Sequence, residues 1–268
     1  RGRGRHGLTN VVFDRLQQWL DAQLKGGAAG AIAEGTVDFE LRPRGLFAKS
    51  ERLTFGSWPP QSGSSVRYFL SGRGRGHSGA LRPVSEGAPD EGADTIKFGE
   101  LSGLSAGVPV VSVTLQTLFR APILASLPLV RTTYAAVYLT EPLPAETLVC
   151  GTPNATFSAT PSGPSFQLVG YLYDVEPLLQ TGTLISHGGN DVWRDAVPGE
   201  AQLVQMRLRS LCVRVSKGHR VGFGVDMFTE MLTPASTDGG LSVAINVGSN
   251  GSFLELPLVS SNVEAPQL

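Results

Sequence analysis

The stretch PGEAQLVQMRLRSLCVRVSKGHRVGFGV, residues 198–225, decides the fold class. Within and just beyond it, AQLVQMRLRSLCVRVS (201–216) and RVGFGVDMF (220–228) read as strands. Between them lies a short polar turn in which Gly218 suits a positive φ. The same grammar continues in both directions. TVDFEL (36–41) alternates apolar and polar residues as a half-buried strand does. SVRYFLS (65–71), TYAAVYLT (133–140), ETLVC (146–150), ATFSAT (155–160), FQLVGYLYDV (166–175), GTLIS (182–186), LSVAIN (241–246) and SFLELPLV (252–259) also read as strands. Gly, Pro, Asn, Asp and Ser clusters separate these runs, and no strand–helix–strand alternation appears. The expected fold is an all-β, antiparallel jelly-roll sandwich. Ser71 to Asp94 is the most loop-like stretch.

Composition agrees with that class. The chain has 268 residues, 41% of them hydrophobic and 17% charged, enough to bury a core and to exclude bulk disorder. Its 33 glycines and 18 prolines match a fold with many reversals. A formal net charge of −1 argues against a nucleic-acid or membrane-surface partner, whose affinity would rest on a basic field. The most apolar window, Val108 to Val130, is interrupted by Pro109, Gln116, Arg120, Pro122 and Pro128 and does not read as a membrane helix. RGRGRH at the start is not followed by an apolar signal segment, so a cytoplasmic location is expected. The absence of Met at Arg1 suggests that the true N-terminus lies upstream. Cys150 and Cys212 cannot make a disulfide framework, and each is expected to serve as a small buried hydrophobe.

One segment departs from the β pattern. In NVVFDRLQQWLDAQLK (10–25), Val12, Leu16, Trp19, Leu20 and Leu24 recur at helical spacing. Asn10 suits an N-cap and Gly26-Gly27 ends the helix. A lone amphipathic helix needs a partner surface.

Motifs for chemistry are few. His6, His77, His187 and His219 are far apart and have no metal-ligand spacing, so neither a metal nor a cofactor is expected. Gly103-Leu104-Ser105-Ala106-Gly107 fits G-x-S-x-G, and Ser105, Asp174 and His219 follow the chain order of an α/β-hydrolase triad. However, TIKFGELS before it is a poor buried strand and VPVVSV after it a poor helix, so a plain loop is the favoured reading. His187-Gly188-Gly189 fits an oxyanion-hole loop or, equally, a strand-ending turn. Trp58 and Trp193 near loops suit sugar stacking or, more commonly, packing.

Taken in order, several segments resemble one family. They are PLPAETLVCGTP (142–153), FQLVGYLYDVEP (166–177), GTLISHG (182–188), residues 198–225 with Lys217-Gly218-His219-Arg220, and the closing LELPLV (254–259). FDRLQQWLDAQLKG (13–26), SWPP (57–60) and VRYFLS (66–71) fit as well, whereas GADTIKF (92–98) lacks the family's Asp-Pro. The resemblance is to the C-terminal region of the X-Pro dipeptidyl-peptidase and cocaine esterase group of serine hydrolases. It implies that residues 1–30 are the last loop and helix of an α/β-hydrolase domain and that 31–268 are a galactose-binding-like jelly roll. His6 stands where the family carries its catalytic His, while the nucleophile and acid lie upstream of this chain. The chain is then expected to be inactive alone, with the hydrolase domain as partner and a homodimer as a further option. Gly218 suits a tight turn, and Arg220 is able to clamp a carboxylate, with Asp174 one candidate. His219 is expected to be buried and hydrogen-bonded rather than a base. Two rival readings are a self-sufficient esterase using Ser105 and a stand-alone carbohydrate-binding module.

Overall fold

The computed structural model describes residues 11–25, 35–41, 51–58, 60, 63–74, 76–105, 122–192, 195–233, 239–249 and 251–259. Helix α1 (Val11–Lys25) precedes the strands β1 (Val37–Leu41), β2 (Glu51–Phe55), β3 (Gly63–Ser71), β4 (Gly79–Pro83), β5 (Gly92–Lys97), β6 (Leu124–Ser126), β7 (Ala135–Leu139) and β8 (Thr147–Gly151). The chain continues with β9 (Asn154–Pro161), β10 (Phe166–Val175), β11 (Thr181–Val192), β12 (Gln202–Arg207), β13 (Leu211–Val215), β14 (Arg220–Asp226), β15 (Ser242–Val247) and β16 (Phe253–Val259). The main ladder runs β5-β15-β9-β16-β3-β4-β7-β14-β10-β11-β6, with β12 on β9 and β8-β13 on β16. Among the described residues every pairing in this ladder is antiparallel except β4 with β7. The ladder folds over on itself as a sandwich.

Strand β10 is buried on both faces, and its alternation divides the core. Leu168 and Leu172 point between the layers. There they join Val221, Phe223 and Val225 of β14, Phe157 and Ala159 of β9, Val243 and Ile245 of β15, and Leu254 and Leu256 of β16. Val169, Tyr171, Tyr173 and Val175 point the other way, into an outer layer roofed by Leu104, Ala125, Leu127 and Val130. On β14 the same outward face carries Gly222, Gly224 and Asp226. The register sets Tyr173 opposite Gly222 and Tyr171 opposite Gly224. A Cβ on Gly224 would lie 2.8 Å from the Leu104 side chain, so the roof needs that glycine for close approach. Burying each large side chain of this kind contributes roughly 2–3 kcal/mol.

A second, small unit is the β1-β2 hairpin. Leu41, Leu53 and Phe55 bury against Leu148, Cys150, Cys212 and Val259, while Trp58 stacks on Phe39 with centroids 4.8 Å apart. Arg214 of β13 adds a half-exposed ion pair to Glu51 of β2 at 2.6 Å, worth under about 1 kcal/mol.

Four expectations change. Cys150 and Cys212 are buried, but they are bonded to each other. They stand directly opposite in the β8-β13 register, a pairing of strands remote in sequence that spacing does not disclose. The run 201–216 is two strands, because Leu208 to Ser210 breaks it and each half takes a different partner, β9 or β8. The stretch 71–94 contains β4 and the start of β5, and Ile96 in TIKF is fully buried on an edge strand that packs by one face. Finally, GTLIS extends to a strand running from Thr181 to Val192, through His187-Gly188-Gly189, which is therefore neither a turn nor a loop.

The disulfide closes 62 residues, which the chain-entropy account rates at roughly 4 kcal/mol. Reduction, or Cys150→Ser with Cys212→Ser, is expected to lower the calorimetric Tm by up to about 10 °C in matched buffer. An unchanged Tm counts against a contributing bond.

Candidate functional site

The outer layer ends in a cleft of about 380 Å³. Its walls include Glu100, Ser105, Arg131, Tyr171, Phe228 and Glu230. Beneath it lies Asp226, fully buried at the end of β14. Ser102 donates its hydroxyl to Asp226 Oδ2 at 2.6 Å, and the Phe228 amide donates to Oδ1 at 3.4 Å. Tyr171 donates its hydroxyl to the Phe228 carbonyl at 3.1 Å. Burial pushes the Asp226 carboxyl up to about 8, with the hydrogen bonds from Ser102 and the Phe228 amide acting against it. Asp226 is accordingly largely protonated at neutral pH, a neutral acid inside an apolar layer. The same burial, with the Asp226 charge second, lifts the Tyr171 and Tyr173 hydroxyls well above the phenol range. The Tyr173 hydroxyl is buried without a hydrogen bond of normal geometry, although the Ser105 backbone faces it. Nothing in the strand pattern marks Ser102 or Asp226 as a pair, since they are 124 residues apart. The one hint is a carboxylate ending an apolar, glycine-alternating strand.

Ser105 follows Gly103, whose φ of 88° makes the sharp bend of the loop. The loop does not carry Ser105 to the expected partners. Asp174 neighbours Tyr173 on β10 and therefore points to the opposite face from the tyrosine that the Ser105 backbone meets. Asp174 instead faces His219, with Oδ1 2.7 Å from Nδ1. Ser105, Asp174 and His219 are not assembled into one nucleophilic site.

The Lys217–Arg220 segment is a turn held against residues 140–143. Gly218 has φ 82°, and its amide donates to the Leu143 carbonyl at 2.9 Å. The Leu143 amide donates back to His219 at 2.8 Å. Arg220 donates to the Thr140 carbonyl at 2.6 Å and lies 3.8 Å from Glu141, so it does not clamp Asp174 as one option had it. His219, one residue earlier and outside β14, reaches that carboxylate first. Its ring remains half-exposed rather than buried, because the turn carries it to the sheet edge. Lys217 is exposed.

A second hollow, of about 330 Å³, lies over the centre of β11. It is lined by His187, Gly188, Gly189, Arg207, Arg209 and an apolar set including Met231 and Leu232. Burial, helped by the Arg209 charge, lowers the His187 ring to about 4, so it is neutral at physiological pH. A Cβ on Gly189 would meet the Leu232 side chain at 2.6 Å, and one on Gly188 the Arg207 carbonyl at 2.7 Å. Backbone packing demands the glycine at 188, whereas at 189 the neighbour is the end of the exposed Leu232 side chain.

Other sequence candidates have no part in these sites. His77 is exposed. His6 and Trp193 lie outside the described residues, as does most of Val108–Val130. Phe39 occupies one ring face of Trp58, which takes that face from any sugar. Among the described residues no group of His, Cys, Asp or Glu is arranged to hold a metal, and no helix is long and apolar enough to cross a membrane.

Comparisons with known proteins converge. The family described as "X-Pro dipeptidyl-peptidase C-terminal non-catalytic domain" matches residues 13–235. An aminopeptidase from a marine sediment archaeon, Thaumarchaeota archaeon, superposes with a TM-score of 0.65 at 18% identity, over 95% of this chain and 45% of that one. An alpha-amino acid ester hydrolase gives 0.64 at 16% identity, over 91% and 44%. A CocE/NonD family hydrolase from Staphylococcus aureus gives 0.63 at 10% identity, over 92% and 46%. These likenesses concern the fold, and the chain spans less than half the length of each. No curated protein matches.

The buried Asp226 generates a signed pH dependence. Its folded pKa lies above its unfolded value near 3.9, so the folded state holds the extra proton between about pH 4 and 8. Its contribution to stability is full below that window and falls by on the order of 1 kcal/mol per pH unit as pH rises through it. Asp226→Asn stays neutral and keeps partners for Ser102 and the Phe228 amide. Urea unfolding at pH 5, 6, 7 and 8 is expected to show a flatter profile for the variant, which overtakes the parent at pH 8. Parallel profiles contradict a protonated Asp226.

Proposed function

The chain belongs to the family of X-Pro dipeptidyl-peptidase C-terminal non-catalytic domains, and from that premise we propose that it serves as the accessory sandwich of a serine hydrolase acting on peptide, ester or amide acyl groups. The observation that carries the reading is helix α1. Phe13, Leu16, Trp19, Leu20 and Leu24 are all exposed, with Leu24 at 77% and Trp19 at 51%. An amphipathic helix whose apolar stripe faces water needs another surface to cover it. A preceding α/β-hydrolase core is the occupant that fits, with residues 1–30 as its last loop and helix and 31–268 as the sandwich.

In this reading His6 supplies the general base, and the serine and acid come from the hydrolase core. The sandwich covers the active-site cleft, shapes access to it and supports assembly, including a homodimer. The turn at Lys217–Arg220, with the Asp174–His219 pair, acts as a structural clamp between β14 and residues 140–143. The Cys150–Cys212 bond favours an oxidising compartment over the cytoplasm, since cytosolic thiols are kept reduced.

Support against a self-contained enzyme comes from Asp174 and His219, which pair with each other on the strand face opposite the tyrosine that the Ser105 backbone meets, rather than serving Ser105 as acid and base. Fluorophosphonate labelling tests this directly. The 268-residue chain is expected to stay unlabelled, while the product of the complete coding frame labels upstream of Arg1. Labelling of the short chain that disappears in Ser105→Ala overturns the accessory role.

A further inference from the structure

We propose that the hollow over His187, Arg207 and Arg209 is a binding site for a small carboxylate with an apolar tail. The inference is independent of the accessory role. Arg207 ends β12 and Arg209 follows it in the break before β13, with the buried Leu208 between them. Both line the hollow, and both are exposed. Among the described residues no acidic side chain lines this space, and neither guanidinium has an ion-pair partner. The neighbouring cleft differs, since it sets Glu100 and Glu230 against Arg131.

Two bonds hold Arg209 in place, while Arg207 is set by the β12-β9 ladder opposite Asn154. The Arg209 amide donates to the His187 carbonyl at 3.0 Å, and Ser186 donates its hydroxyl to the Arg209 carbonyl at 2.7 Å. These bonds pin the break between β12 and β13 onto β11. Planar guanidinium forks recognise a carboxylate through paired, charge-assisted hydrogen bonds. The Thr229 residue and the neutral His187 ring also line the space and add polar groups without adding negative charge.

The remaining walls select the tail. Val169, Leu208, Met231 and Leu232 make one side of the hollow apolar. A volume of about 330 Å³ suits a ligand of small-molecule size. A bare inorganic anion would leave that side unfilled, and a neutral alcohol would leave both cations unmatched.

The test uses the 268-residue chain with octanoate, octanol and sulfate as probes, read by calorimetry and by the Met231 methyl signal in NMR. Octanoate is expected to bind saturably at one site and to shift Met231. Octanol and sulfate are expected to bind at least tenfold more weakly. Arg207→Gln and Arg209→Gln are each expected to weaken octanoate about tenfold or more. Both positions are exposed, so the variants should keep the parental circular dichroism and Tm. No octanoate binding at millimolar concentration overturns the proposal. So does equal binding of octanol, equal binding of sulfate, or an affinity that ignores both arginine substitutions.

Discussion

The facing of tyrosine against glycine between β10 and β14 is the constraint on which the outer half of the molecule rests. Tyr171 and Tyr173 fill the outward face of β10, while opposite them Gly224 leaves room for Leu104 and Gly222 for Val175 and Leu139. A side chain at Gly224 would crowd Leu104, which roofs this layer. With the roof in place, Asp226 is sealed from water and Ser102 becomes its partner. The cleft beside Ser105 and the buried carboxyl both lie against this outer layer. The opposite face of the same strand holds the two sheets together, so β10 serves both layers at once.

The edges of the sandwich are managed differently. The β1-β2 hairpin is too small to stand alone and rests on the disulfide, on Val259 and on the Arg214–Glu51 pair. Helix α1 offers no comparable burial, since its large apolar residues face solvent. That contrast between a saturated core and an uncovered helix is what makes a missing partner surface the economical reading of this family member.

Much of the fold was legible because strands announce themselves locally. Alternation in VDFEL, the apolar run of FQLVGYLYDV and the glycine before His219 need only near neighbours to be read, and α1 shows its period within fifteen residues. Pairing is not local. The Cys150–Cys212 bond, the break at Leu208–Ser210 and the extension of β11 through Gly188-Gly189 depend on which strands meet, and no short window contains that information. The site was less legible for the same reason. Ser105 belongs to a recognisable five-residue motif, whereas Ser102, three residues earlier and in no motif, makes the short bond to the buried carboxyl. The triad order Ser105, Asp174, His219 pairs the last two, which do meet, but it does not show that Ser105 lies apart from them.

Amide hydrogen exchange of residues 11–25, compared between this chain and the product of its complete coding frame, tests the central claim most directly. If α1 is the docking element of a hydrolase core, its amides exchange rapidly in the 268-residue chain and become protected by orders of magnitude in the longer product, while the β10 and β14 amides stay protected in both. Equal protection of α1 in the two proteins would contradict the account.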